Sequence, residues 1–468
     1  MKRQLTLLVA LWALLGCTQA QKQQTPAERQ LAGWLEAFNS GDRAVIKQFL
    51  DANFPERAKE IDQELDFRDR TGGFDLKKVE ESAPTRITAV MKERDGSNYA
   101  RLVLELKPEA PHKIRTLNLR VIPRPADFAA TPSLSENEAI AALKAELEKN
   151  AAKDRFSGAA LVAGNGKTIF AQAYGLADRE KKIPNSLNTR FRIGSMNKMF
   201  TAVAIAQLAQ AGRLKFTDTV GKFLTDYPNG DIASKVTIHH LLTHTGGTGD
   251  IFGPEFERNR LNLLDLKDYV ALYGKRGLQF EPGSRWEYSN YGFILLGVVV
   301  ERVSGQNYYD YVREHIYLPA GMTSTNSLPE SEDVPNRSVG YMRMGGRLQP
   351  NNETLPFRGT SAGGGYSTVE DLLRFANALL EHNLLNEEYT SLIMTGKVDT
   401  PRGKYGYGFM DVLSDGVRSI GHGGGAPGMN GDLRIYPASG YIVAVLANLD
   451  PPSASRIADF VGERLPAN

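Results

Sequence analysis

The sequence has a single cysteine, Cys17, in 468 residues. One thiol closes no disulfide within the chain and builds no cysteine-based metal site. An excess of charge of one sign is also lacking. Lys and Arg total 56 against 54 Asp and Glu, and setting aside Lys2 and Arg3 leaves 54 against 54. A chain so balanced sets up no global field for nucleic acid or anionic lipid, which argues against a nucleic-acid partner. Beyond the first twenty residues no apolar run approaches membrane-spanning length, and no internal repeat or long low-complexity tract appears. What is present is an ordinary globular balance of 41% apolar and 24% charged residues. The length exceeds what one hydrophobic core usually serves, so two domains are expected.

Lys2 and Arg3 precede a mainly apolar run over residues 5–16. That run is too short for a mature spanning helix but suits the core of a cleaved secretion signal, here read over residues 1–20. The chain is therefore expected to be exported: periplasmic, lipid-anchored to the cell envelope, or secreted. Leu14-Leu15-Gly16-Cys17 resembles the lipobox of bacterial lipoproteins, which implies lipidation at Cys17 as the one route to a membrane. Cleavage after Thr18-Gln19-Ala20 is the competing reading.

After this leader, Leu31, Trp34, Leu35 and Phe38 fall at helical spacing within residues 26–40. Asp42 is placed to cap a second helix carrying Val45, Ile46, Phe49 and Leu50. Partial alternation then predicts strands over 85–92, 99–106 and 113–121. Helices followed by a meander make an α+β layer. With Trp34 and Phe38-Asn39-Ser40-Gly41-Asp42, residues 25–125 resemble the cone-shaped folds of nuclear-transport-factor-2-like domains. That resemblance implies a unit that dimerises or holds apolar ligands.

Pro123, Pro125 and Pro132 mark a linker that ends over residues 126–135. Ser135 and Glu138 form a capping-box pattern opening a helix to about residue 153. The second domain is expected over 136–468. Strands over 156–163 and 168–174 flank Gly164-Asn165-Gly166, a hairpin turn. Helices are expected over 191–211, 236–243, 291–304 and 455–464, and strands over 433–436 and 441–446. Strands near both ends predict one sheet completed by the two termini of this domain.

Three constellations carry chemistry. Ser195-Met196-Asn197-Lys198 puts a hydroxyl and an amine on one helical face. Unpaired N–H groups at a helix start favour developing negative charge, and a desolvated lysine can lose its proton and act as a base. Such a spacing arises by chance about once or twice in a chain this long, so alone it decides nothing. Tyr288-Ser289-Asn290 offers a proton-shuttling phenol and a non-titrating amide that can orient a carbonyl. Tyr227-Pro228-Asn229 repeats that triplet in a plain turn. Finally, Gly421-His422-Gly423-Gly424-Gly425 allows a backbone to approach a ligand and point N–H groups at it, although glycines alone would read as a flexible loop.

In order, Ser195-x-x-Lys198, Tyr288-x-Asn290 and His422-Gly423-Gly424 resemble the motifs of class C β-lactamases and penicillin-binding-protein-like serine hydrolases. Supporting stretches are Thr237 to Gly247, Phe280-Glu281-Pro282-Gly283 and Ala362 to Leu372. The resemblance implies an α/β, DD-peptidase-like domain: an antiparallel sheet flanked by helices, with a helical subdomain. It implies acyl transfer, with Ser195 as nucleophile and Lys198 and Tyr288 moving protons. Asn290, His422, Gly423 and Gly424 would hold the substrate, and the Ser195 and Gly425 N–H groups would form the oxyanion hole. No metal or organic cofactor is implied.

Antibiotic-hydrolysing relatives carry Lys-Thr-Gly as the third motif. Here His422 and Gly423 replace the cation and the hydroxyl, which weakens capture of a substrate carboxylate. An ester or a small peptide or amide is therefore expected as substrate, in the manner of esterases and D-amino-acid peptidases. A β-lactamase or D-alanyl-D-alanine carboxypeptidase is the alternative, and a non-catalytic envelope binding protein the reading from another class. A Ser-His-Asp triad drawn from the seven histidines is disfavoured on the expectation that the chain has no Gly-x-Ser-x-Gly nucleophile elbow. His239, His240 and His244 lack the zinc-protease pattern and read as packing or capping residues, and His112, His315 and His382 as structural ones.

Overall fold

The computed structural model describes residues 24–467, so the leader over 1–20 and Cys17 lie outside the described residues. Helices α1 (Pro26–Ser40), α2 (Arg43–Asn53), α3 (Pro55–Ala58) and α4 (Ile61–Thr71) come first. An antiparallel meander of β1 (Phe74–Ala83), β2 (Arg86–Glu93), β3 (Tyr99–Leu106) and β4 (Ile114–Ile122) follows. Thr25 and Glu28 close a capping box on α1 around Pro26, and the left-handed Gly41 stops the helix. The Asp42 carboxylate accepts from the amides of Ala44 and Val45, capping α2 as expected. Leu31, Trp34 and Phe38 pack onto Ile87, Ala89, Met91, Leu102 and Leu104 of the sheet.

Three elements here escaped the sequence reading: α3, α4 and β1. Eight of the ten β1 residues are exposed, and two bulges break its register with β2. An edge strand with charges along it and no buried face shows no alternation.

The second unit begins with α5 (Glu136–Ala151), opened by the Ser135/Glu138 capping box. β5 (Gly158–Gly164) and β6 (Lys167–Tyr174) meet at Asn165 and Gly166, both at positive φ, as a right-twisting hairpin needs. Six late strands join them: β7 (Val398–Thr400), β8 (Gly403–Tyr405), β9 (Met410–Ser414), β10 (Val417–Ala426), β11 (Met429–Tyr436) and β12 (Tyr441–Ala447). The eight strands order as β7-β8-β9-β10-β11-β12-β5-β6. β12 pairs antiparallel with β5, Ala444 opposite Leu161, so the two ends of the unit do complete one sheet.

Alternate side chains of this sheet face two cores. Leu161, Leu433, Ala444 and Leu446 face α6 (Asn197–Gln210), α7 (Asn290–Ser304) and α8 (Val369–Leu380). Val162, Val443 and Val445 face α5 and α9 (Ser453–Gly462). Twelve of fourteen α6 residues and eleven of fifteen α7 residues are buried. Helices apolar on all sides sit inside a core rather than over it, which makes them rigid carriers for any polar group they hold. Among the described residues no helix is long and apolar enough to cross a membrane.

Candidate active site

The helix expected over 191–211 starts later than its apolar pattern suggests. Phe191–Arg192 is a short strand paired with Tyr366–Ser367. The Arg192 guanidinium is held extended by two bonds to Glu330, at 3.0 and 2.7 Å. Gly194 then takes φ +53, a left-handed turn that interrupts the helical path before the 3₁₀ turn Gly194–Met196. Ser195 therefore sits half-buried on a sharp corner directly before α6, with Met196 and Met199 anchored in the core.

Lys198, fully buried, lies one turn on. Its Nζ donates to Ser195 Oγ at 3.2 Å, to Asn290 Oδ1 at 2.7 Å and to the Ala362 carbonyl. Burial pushes its ammonium down to about 7, against an opposing pull from the Asp250 carboxylate. An amine with that affinity is partly neutral at pH 7 and can accept the proton of the hydroxyl it touches.

The second triplet converges on the same point. The Tyr288 hydroxyl sits beside Ser195, which draws the phenol's affinity for a proton down against burial, and its ring lies 4.7 Å from Lys198 Nζ. Burial raises the Tyr288 phenol well above its ordinary range, so at neutral pH it is a phenol, not a phenolate. Asn290, the first residue of α7, presents its amide oxygen to Lys198. Ser289 caps that helix by accepting from the Gly292 amide.

Two further residues complete this side: Asp250, which the sequence reading did not single out, and His244, which it read as a packing or capping residue. The Asp250 carboxylate accepts from Asn290 N at 3.0 Å and from Asn290 Nδ2 at 3.2 Å. His244 stacks 4.3 Å from Tyr288, and its Nδ1 accepts from the Ser289 amide at 3.1 Å. It is buried and held neutral by that burial. Neither had a sequence signal beyond lying in the stretch Thr237 to Gly247 or just after it. The Ala362 carbonyl was equally invisible, being a backbone group.

The glycine run is not a loose loop but the end of β10, pressed against the Ser195 corner. A Cβ on Gly424 would overlap the Ile193 carbonyl oxygen and stand 3.0 Å from Ser195 N. Gly425, exposed at the mouth, has its amide beside Gly194. The run thus brings a second N–H to the corner, where it can face a developing oxyanion. Gly424→Ala is expected to push β10 away and lower kcat/KM by about 10²–10³-fold, the usual cost of a lost oxyanion donor. Steady-state kinetics beside a thermal melt would check it: a folded variant with unchanged kcat/KM contradicts the packing.

His422 is buried, its Nε2 3.0 Å from the Tyr405 hydroxyl and its Nδ1 2.5 Å from the Gly423 carbonyl. Burial lowers it to about 4, so it is neutral and has no free nitrogen for a substrate carboxylate.

The remaining candidates disperse. His239 contacts the Tyr407 hydroxyl at 2.8 Å, and His240 closes a capping box with Thr237. Tyr227 and Asn229 are structural: Tyr227 meets Tyr291 at 3.0 Å and Asn229 caps a short helix. Contrary to the expectation that no nucleophile elbow occurs, its spacing is present at Gly359-Thr360-Ser361-Ala362-Gly363. Ser361 is fully buried, its Oγ without a partner, so it is no nucleophile.

Residues 142–467 match the model of the family described as Beta-lactamase. The chain belongs to this family of β-lactamase and penicillin-binding-protein-like serine hydrolases. It is similar to penicillin-binding protein 4* of Bacillus subtilis, 31% identical over 298 residues, 59% of this chain and 64% of that protein. The match thus spans under two thirds of that relative. A penicillin-binding protein structure from Bacillus halodurans superposes with TM-score 0.61 at 37% identity, over 67% of this chain and 97% of that one. A D-stereospecific amidohydrolase from a Streptomyces species gives 0.59 at 28%, over 68% and 96%.

Proposed function

We propose that this chain hydrolyses an ester or a small peptide or amide through an acyl-enzyme on Ser195. The observation that carries the reading is a buried amine of depressed proton affinity touching a hydroxyl at a helix start. Lys198 Nζ lies 3.2 Å from Ser195 Oγ with its affinity for a proton depressed, and the Tyr288 ring lies 4.7 Å from the same nitrogen with its hydroxyl beside Ser195.

Neutral Lys198 takes the Ser195 proton as Oγ attacks the carbonyl carbon. The oxyanion so formed is held by the Ser195 and Gly425 N–H groups. Tyr288 passes a proton to the leaving oxygen or nitrogen and is re-protonated from Lys198. Water then releases the acyl group by the same steps reversed. Asn290 keeps one amide hydrogen for the substrate, and Gly423 and Gly424 supply backbone beside it.

The buried neutral His422 favours substrates that need no cation for a carboxylate, and so esters and neutral amides over β-lactams or D-alanyl-D-alanine termini. Export, with the mature chain periplasmic, secreted or anchored through Cys17, is part of the proposal, and so is a dimerising cone-like unit over 25–125. Mass spectrometry after mixing with p-nitrophenyl esters or D-amino-acid amides should show one acyl adduct, on Ser195. Ester turnover should exceed that of a chromogenic cephalosporin. Absence of any adduct with esters, amides, a fluorophosphonate and a fluorescent penicillin would leave the non-catalytic binding protein as the reading.

A further inference from the structure

Asn290 has two faces, an oxygen and an NH₂, and only one orientation suits Lys198. With the oxygen inward it accepts from the lysine at 2.7 Å. Reversed, it would set two donors against each other whenever the lysine is charged. Nothing in the Tyr288-x-Asn290 triplet itself selects the orientation. Asp250 does, because a carboxylate only accepts: its oxygens take the Asn290 main-chain N–H at 3.0 Å and one side-chain N–H at 3.2 Å. Asp250 is itself fixed, its Oδ1 accepting from the Ile251 amide at 2.8 Å and its main-chain oxygen from Arg276 Nη1 at 2.8 Å.

We propose that Asp250 is the positioning residue of the Ser195 site, fixing the Asn290 amide oxygen toward Lys198 and serving, through that amide, as the counter-charge of the lysine. The proposal rests on the acyl-transfer reading for its kinetic consequences, but not for its geometry.

The groups facing Lys198 come from every element around it. They are Ser195 from the corner, His244 and Asp250 from the segment after residue 242, Tyr288 and Asn290 from the start of α7, and His422 from β10. Tyr405 lies behind the two histidines. Burial keeps both imidazoles neutral and Tyr288 a phenol. Asp250 is the one carboxylate in the set, and its charge draws the lysine upward against desolvation. Removing that charge should lower the lysine's affinity for a proton, by about one pH unit for a charge at this range.

The test is Asp250→Asn in the full chain, read two ways. The ¹³Cε resonance of Lys198, assigned through Lys198→Arg, reports its titration without any substrate. The acid limb of kcat/KM toward a p-nitrophenyl ester reports the same group in turnover. Asp250→Asn is expected to move both midpoints down by about one unit and to lower plateau kcat/KM by about 10–100-fold, because the new amide can no longer enforce the orientation. Asp250→Glu retains the charge, should keep both midpoints within about 0.3 unit, and guards against a misfolded Asn variant. Unmoved midpoints in Asp250→Asn, with any loss confined to stability or kcat, would overturn the positioning role. A moved ¹³C midpoint in a chain that turns over no ester would uphold Asp250 and sink the acyl-transfer reading instead.

Discussion

Ser195→Ala is expected to lower kcat/KM toward a p-nitrophenyl ester by about four to six orders of magnitude. The hydroxyl occupies a position no neighbour can fill. Thr201 is engaged with the Asn197 and Ser361 carbonyls and the Tyr308 hydroxyl, and Ser361 is sealed in the core. Little structural cost should accompany the loss. Ser195 is only half-buried, and its corner is set by Gly194 and by the Arg192–Glu330 pair rather than by its own side chain. Active-site labelling by a fluorophosphonate should vanish while the melting curve stays close to that of the parent. A variant that keeps more than a hundredth of its activity would place the nucleophile elsewhere.

Lys198→Met should cost about 10³–10⁴-fold, and its effect on the pH profile is more diagnostic than its size. With the amine at about 7, the neutral fraction grows as pH rises, so parent kcat/KM should climb through that value and then level. The methionine variant should show residual activity without that limb. Stability carries the same signature. The folded chain holds this lysine well below its unfolded value of about 10.4, so the unfolded chain binds more protons between the two. The group's contribution to stability therefore rises with pH from about 7 to about 10.4 and is flat below. Melting temperatures of Lys198→Met should lack that rise. An acid limb that survives the substitution would assign the base to another group.

How much of this was legible beforehand depended on whether a residue's role is local. The capping box at Ser135, the Asp42 cap and the strand at Tyr99–Leu106 were readable because the signal lies within four or so residues. So were the three motifs, whose order along the chain gave them joint specificity. The charged edge strand β1 was not readable, because it buries almost nothing and keeps no period. Nor was the late start of α6, where the positive φ of Gly194 overrides an apolar pattern that continues through it. Asp250 and Ala362 escaped for another reason. Each acts through a partner distant in sequence, 40 residues away for Asp250 and 164 for Ala362. His422 was found, but its meaning changed once Tyr405 and the Gly423 carbonyl were seen to occupy its ring.

The pairing of β5 with β12 bears on when the molecule becomes competent. Ser195 and Lys198 are synthesised early, but β10 lies between β9 and β11, and the sheet closes through β12 near residue 447. Contacts of such long sequence separation form late. On the ribosome the chain therefore carries its serine and lysine long before it has the wall that faces them. A fragment cut before β12 would retain every residue of the first two motifs and still present an open, solvent-filled corner. Competence is thus coupled to completion of the whole second unit.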